Sequence, residues 1–90
     1  MASNKFIKDP DSLLDYTVNW ETWLDGDTVS ASSWTIPTGL TEDSATFGDS
    51  TATVWLSGGT LGKRYNIVNH ITTAAGREED QTLEIICREK

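Results

Sequence analysis

Leu14-Asp15-Tyr16-Thr17-Val18-Asn19-Trp20 puts a large apolar side chain on every even position and a polar one on every odd position. A period of two over seven residues is the pattern of a β-strand with one buried face. Upstream, residues 1–11 are polar apart from Phe6 and Ile7 and end in Asp9-Pro10-Asp11. Pro10 holds Asp9 in extended conformations, so this stretch is expected to be an N-terminal arm leading into a single domain over residues 12–90. Phe6 and Ile7 are expected to be poorly ordered until the arm docks on a partner.

Downstream, Trp23 and Leu24 run into Asp25-Gly26-Asp27, a turn signal. A second run over residues 28–36 carries Val29 and Ala31 at odd positions and Trp34 and Ile36 at even ones, so a bulge is expected near Ser32-Ser33. Pro37-Thr38-Gly39 stops that strand. Residues 40–47 give a weaker strand. Residues 51–57 give a better one, with Ala52, Val54 and Leu56 inward and Trp55 outward. Gly58-Gly59-Thr60 turns the chain into a long alternation through Tyr65, Ile67, Asn69, Ile71 and Thr73. After Ala74-Ala75-Gly76, a last strand carries Leu83, Ile85 and Cys87 on one face.

Turn signals every 8–12 residues between six to seven short strands predict an all-β, immunoglobulin-like antiparallel β-sandwich with Greek-key connections. The expected structural core includes Tyr16, Trp20, Trp34 and Tyr65. Tyr65 opens the penultimate strand, where a tyrosine buries its ring and bonds its hydroxyl back to the upstream corner. Trp23 is placed to plug one end of the sandwich.

Ninety residues make one domain, and 21 Ser plus Thr, 13 of them Thr, favour strands over helices. A net charge of −7 repels phosphate backbones and anionic lipid, so neither nucleic acid nor a membrane is an expected partner. Residues 1–8 carry no long apolar stretch and no apolar run approaches ~20 residues, so neither a signal peptide nor a membrane span is expected. Cys87 is the single cysteine, which excludes an intramolecular disulfide and marks it as a small core hydrophobe.

No constellation for catalysis stands out. His70 is the only histidine and lies on the face opposite Tyr65, Ile67 and Ile71. No serine sits in a Gly-x-Ser-x-Gly setting, and one His with one Cys is too few for zinc. Gly58-Gly59-Thr60-Leu61-Gly62 lacks the Gly-Lys-Ser/Thr of a phosphate loop. Asp9/Asp11/Asp15, Asp25/Asp27 and Glu78/Glu79/Asp80 lack calcium-loop spacing, and the last group reads as a solvated hairpin tip. The expectation is therefore no enzyme and no cofactor or metal. The candidate protein-contact residues are Phe6, Ile7 and the outward Trp55.

Several longer runs carry a family resemblance. Lys8-Asp9-Pro10-Asp11 with Leu14-Asp15-Tyr16 and Trp20, Leu24-Asp25-Gly26-Asp27-Thr28-Val29 to Ser33-Trp34-Thr35-Ile36, Thr53-Val54-Trp55-Leu56-Ser57-Gly58-Gly59-Thr60 and Ile71-Thr72-Thr73-Ala74-Ala75-Gly76-Arg77 resemble small tailed-bacteriophage proteins described as phage fibre–tail adaptors. The resemblance implies an immunoglobulin-like virion component made in the bacterial host cytoplasm. It would connect tail and fibres by contacts with other virion proteins, as a monomer in isolation and in multiple copies in the particle. The alternatives are a carbohydrate-binding or adhesive surface module, which needs a platform of exposed aromatics, and a head decoration protein.

Overall fold

The computed structural model describes residues 4–88. It contains strands β1 (Asn4–Lys8), β2 (Leu14–Asn19), β3 (Val29–Thr35), β4 (Leu40–Phe47), β5 (Thr51–Gly58), β6 (Arg64–Thr73) and β7 (Glu78–Cys87), with one helical turn, α1 (Glu21–Leu24). The strands form two sheets, β1-β7-β6-β3 and β2-β5-β4, which is the immunoglobulin-like sandwich predicted from the turn spacing.

The core is built by alternation. Tyr16, Val18 and Trp20 of the β2 stretch face Tyr65, Ile67 and Ile71 of β6 and Leu83, Ile85 and Cys87 of β7, with Val54 and Leu56 of β5 fully buried among them. Burying a side chain of this size contributes about 1.5–3 kcal/mol, and these rows supply the stability that a disulfide gives other sandwiches. Trp34 stays half-buried on the inward face, packed against the core but outside its fully buried part.

The Tyr65 corner forms as read. Its hydroxyl accepts the Thr60 N–H at 3.0 Å, and its ring lies against Gly39, where an added Cβ would stand 2.8 Å from Cε1. Gly39 has φ +111°, so both space and backbone require glycine there. Gly59 is held likewise: a Cβ would meet the Cys87 Sγ at 2.5 Å.

Four features differ from expectation. Residues 4–8, expected as part of an arm, form edge strand β1, paired in parallel with residues 83–87 of β7; every other pairing is antiparallel. The cause lies in two inward side chains. Phe6 packs edge-to-face on Tyr16 at 5.2 Å, and the inaccessible Lys8 donates from Nζ to the carbonyls of Asp9 (3.0 Å), Ser12 (2.7 Å) and Gly58 (2.7 Å). Residues 1–3 of the expected arm, and residues 89 and 90 of the expected domain, lie outside the described residues.

Secondly, the β3 bulge falls between Val29 and Ala31, earlier than Ser32-Ser33, and turns Ala31 outward. Thirdly, β4 has its own bulge between Glu42 and Ser44, and only Leu40 of that strand is buried, which explains its faint alternation. Fourthly, residues 21–24 form α1: the Asn19 side chain accepts the Glu21 N–H at 2.9 Å, Leu24 is buried, and Asp25 at φ 49° ends the turn. Four residues are too few to show a helical period.

Candidate functional site

Trp55 lies on the outer face of the β2-β5-β4 sheet and is 38% exposed. β5 is the central strand, so Trp55 has Asp15 of β2 on one side and Ser44 of β4 on the other. The face around it is hydroxyl-rich; Thr17 and Thr53 share a 2.8 Å hydrogen bond across β2 and β5. Ile7 lies on the opposite outer face, 43% exposed and in register with Ile86. Phe6 points inward and is half-buried, reaching a groove between β1 and β2 that Leu14 and Tyr16 also line. The three candidate contact residues are thus on separate surfaces, because Phe6 and Ile7 occupy opposite sides of one strand and Trp55 the far sheet.

The other tryptophans are engaged inside. Trp20 is buried and donates its Nε1–H to the buried Asn69 Oδ1 at 2.9 Å. The Asn69 amide in turn donates to Ser32 Oγ (2.9 Å) and the Ser33 carbonyl (3.0 Å), a polar tie from β6 to both sheets. Trp23 meets Trp20 edge-to-face at 5.4 Å and carries the Arg77 guanidinium 4.4 Å above its ring. Arg77 also donates to the Leu24 carbonyl at 2.6 Å and to Asp27 at 3.3 Å. Hydrogen bonds from Thr73, then from Thr28, Arg77 and Ala75, hold the Asp27 carboxyl below its usual range. Trp23 therefore closes one end of the sandwich with Arg77 as its cover.

His70 stands on the outer face of β6 with Nδ1 2.6 Å from Asp80 and Nε2 2.9 Å from Glu78. Those two contacts raise its pKa above the ordinary histidine value. Cys87 is fully buried. Among the described residues, no group of three or more His, Cys, Asp and Glu side chains is arranged to hold a metal. No helix among the described residues is long and apolar enough to cross a membrane.

The sequence pattern passed over three exposed apolar residues. Leu13 (52% exposed) and Leu61 (55%) sit in the loops that Lys8 ties together through Ser12 and Gly58, so they share one end of the molecule. The phase break at Leu13-Leu14 and the flanking glycines of Leu61 were the available signals. Phe47 (47%) ends edge strand β4.

Comparison with known proteins places this architecture. The solution structure of the PKD domain from KIAA 1837 protein superposes with a TM-score of 0.53 at 15% identity, over 98% of this chain and 81% of that one, a likeness of fold. No curated protein sequence matches the chain. The family model described as podophage GP4 fiber-tail adaptor protein gp77 matches residues 8–86. That match takes in every strand from β2 to β7 save Cys87, the last residue of β7, and the chain belongs to the podophage GP4 fiber-tail adaptor gp77 family, a family of phage structural proteins.

Proposed function

We propose that this chain is a non-enzymatic adaptor of a podophage virion, connecting tail and fibres through protein–protein contacts on its outer faces and edges. The observation that carries the reading is the family match across residues 8–86. The chemistry of the chain supports it. The one histidine is taken up by two carboxylates of its own hairpin, and the one thiol is sealed in the core. Ile7 and Trp55 present apolar area on opposite faces, which suits a part gripped from two sides. Its partners are other virion proteins; a charge of −7 disfavours nucleic acid and anionic membrane, and no cofactor is called for. The protein is made in the host cytoplasm, is a monomer in isolation and enters the particle in multiple copies.

The glycan-binding alternative needs a platform of aromatics, and Trp55 stands alone on its face with Trp20 buried and Trp23 and Trp34 half-buried. Antibody labelling of intact particles in the electron microscope tests the adaptor reading. Label at the tail–fibre junction is expected. Label on the head would overturn the role while keeping the family, and particles without label would overturn a place in the virion.

A further inference from the structure

The two sheets do not end together on the side of β3 and β4. Glu42, Ala45 and Phe47 of β4 stand opposite Leu56, Val54 and Ala52 of β5, so they point to the side on which those three are fully buried. Glu42, Ala45 and Phe47 are nevertheless exposed, Phe47 to 47%. The cause is the other sheet, which stops at β3 and leaves the inner side of β4 without a cover. Trp34, an inward side chain of β3, is only half-buried, and its indole N–H has no acceptor among the described residues. The sandwich is one strand short at this flank.

The edge of β3 is the place for that strand. The Thr73 N–H to Arg77 carbonyl bond (2.8 Å) and the Cys87 N–H to Lys63 carbonyl bond (2.9 Å) commit the odd-numbered residues of β6 to β7. Its even-numbered residues bond to β3. Val68, His70 and Thr72 stand opposite Thr35, Ser33 and Ala31, so Ser32 and Trp34 turn their main-chain N–H and C=O groups away from β6. β3 runs into described loops at both ends, and Asn4, the first described residue, lies on β1, three strands across the sheet. Arg88, the last, bonds its N–H to the Lys8 carbonyl of β1 at 3.0 Å. Neither end of the chain is near this edge. Residues 29–35 carry no charge and no proline, the usual guards of an edge strand, whereas β4 has a bulge with Glu42 and Asp43.

Charge and shape select the occupant. No base among the described residues forms an ion pair with Glu42. A second copy of a chain with net charge −7 would bring like charge to it. Paired edge to edge through β3, that copy would also drive its own overhanging β4 into this one. An extended segment of a different protein meets neither obstacle: its backbone bonds to Ser32 and Trp34, and every second side chain reaches down onto β4. Leu56 and Ala52, opposite Glu42 and Phe47, are four residues apart, about 13 Å along a strand. A base over Glu42 and an apolar residue over Phe47 therefore stand four positions apart in the segment.

We propose that the β3 edge takes up an extended segment of another virion protein, pairing with Ser32 and Trp34, with apolar side chains over Ala45 and Phe47 and a Lys or Arg over Glu42. The proposal rests on the adaptor reading and names where such an adaptor is gripped.

A photo-crosslinking amino acid at Ala45, in the chain assembled into purified particles, tests it, with the same group at Ala75 in the β6–β7 turn for comparison. Crosslinking from position 45 alone to one virion protein is expected, at a peptide with an apolar residue and a Lys or Arg four positions apart. Crosslinks to a second copy of this chain, or to a peptide without a base, would overturn the occupant. A chain present in particles but uncrosslinked from position 45, or crosslinked equally from both positions, would overturn the site and leave the adaptor reading standing. Absence of the chain from particles would overturn both. The variant Glu42→Lys, at an exposed position, should fold normally by near-ultraviolet circular dichroism and lower the copies per particle about tenfold or more. Unchanged incorporation would overturn the role of Glu42.

Discussion

Asn69 holds three partners from one fully buried position, accepting from Trp20 and donating to Ser32 and Ser33. Removing the amide leaves the buried Trp20 indole N–H without a partner in the interior, which costs more than the bond contributed. Asn69→Ala is expected to destabilise by about 2–4 kcal/mol in urea unfolding, and a loss below half of that would mean the site relaxes to admit water. The two buried tyrosines should separate in the same assay. The Tyr65 hydroxyl satisfies the Thr60 N–H, so Tyr65→Phe should cost about 1–2 kcal/mol. The Tyr16 hydroxyl is buried with no protein partner, so Tyr16→Phe should be neutral or stabilising by up to about 1 kcal/mol. Burial pushes the Tyr16 pKa up to about 12, so in the native protein it ionises later than in the unfolded chain. Stability from this group is present below the unfolded value near 10 and is lost as pH rises from there towards 12. The alternation pointed all three residues inward, but whether a buried polar group finds its partner depends on a strand thirty-odd residues away for Asn69 and a loop five residues away for Tyr65, which periodicity does not encode.

The β6–β7 hairpin carries the chain's single histidine. Only the imidazolium form of His70 donates to Asp80 and Glu78 together, which is why its pKa is raised. A raised folded value means the stabilisation is complete below the unfolded value of about 6.5 and is lost as pH climbs through the folded value. Wild-type urea midpoints should therefore fall on going from pH 6 to 8, by a small step because the group is exposed, and His70→Gln should remove the step. An equal step in both proteins would assign it to another group. At this scale legibility followed burial. β2, β5, β6 and β7 alternate cleanly because each has one face in the core. β4 is faint because an overhanging edge strand needs no apolar face, and its bulge and paired acids Glu42 and Asp43 blunt it against wrong pairing. β1 was invisible because one of its two anchors is a lysine: Lys8 reads as a solvated charge until the carbonyl of Gly58, fifty residues on, is placed against it.

For the molecule as a whole, the outward phase of Trp55 was readable from its own strand, whereas the hollow that Val18, Trp20 and Trp23 share with Glu79 and Gln81 was not. Polar residues at 79 and 81 look like a solvated hairpin tip, and only the position of the β2 end makes them line a hollow with Val18, Trp20 and Trp23. Whether β1 is a fixed part of the sandwich is open to test, and Cys87 reports on it. Its fully buried thiol sits on the last β7 residue, in register with Lys8 and against Gly59. A thiol reagent reaches it only through an opening that frees β1 or through global unfolding. A domain of this length has a stability of roughly 5–13 kcal/mol, so native labelling should be slowed at least about a thousandfold relative to the unfolded chain. With β1 an integral strand, the free energy from labelling should equal that from urea unfolding. A labelling free energy several kcal/mol lower would show that β1 detaches on its own, leaving residues 83–87 of β7 without that neighbour.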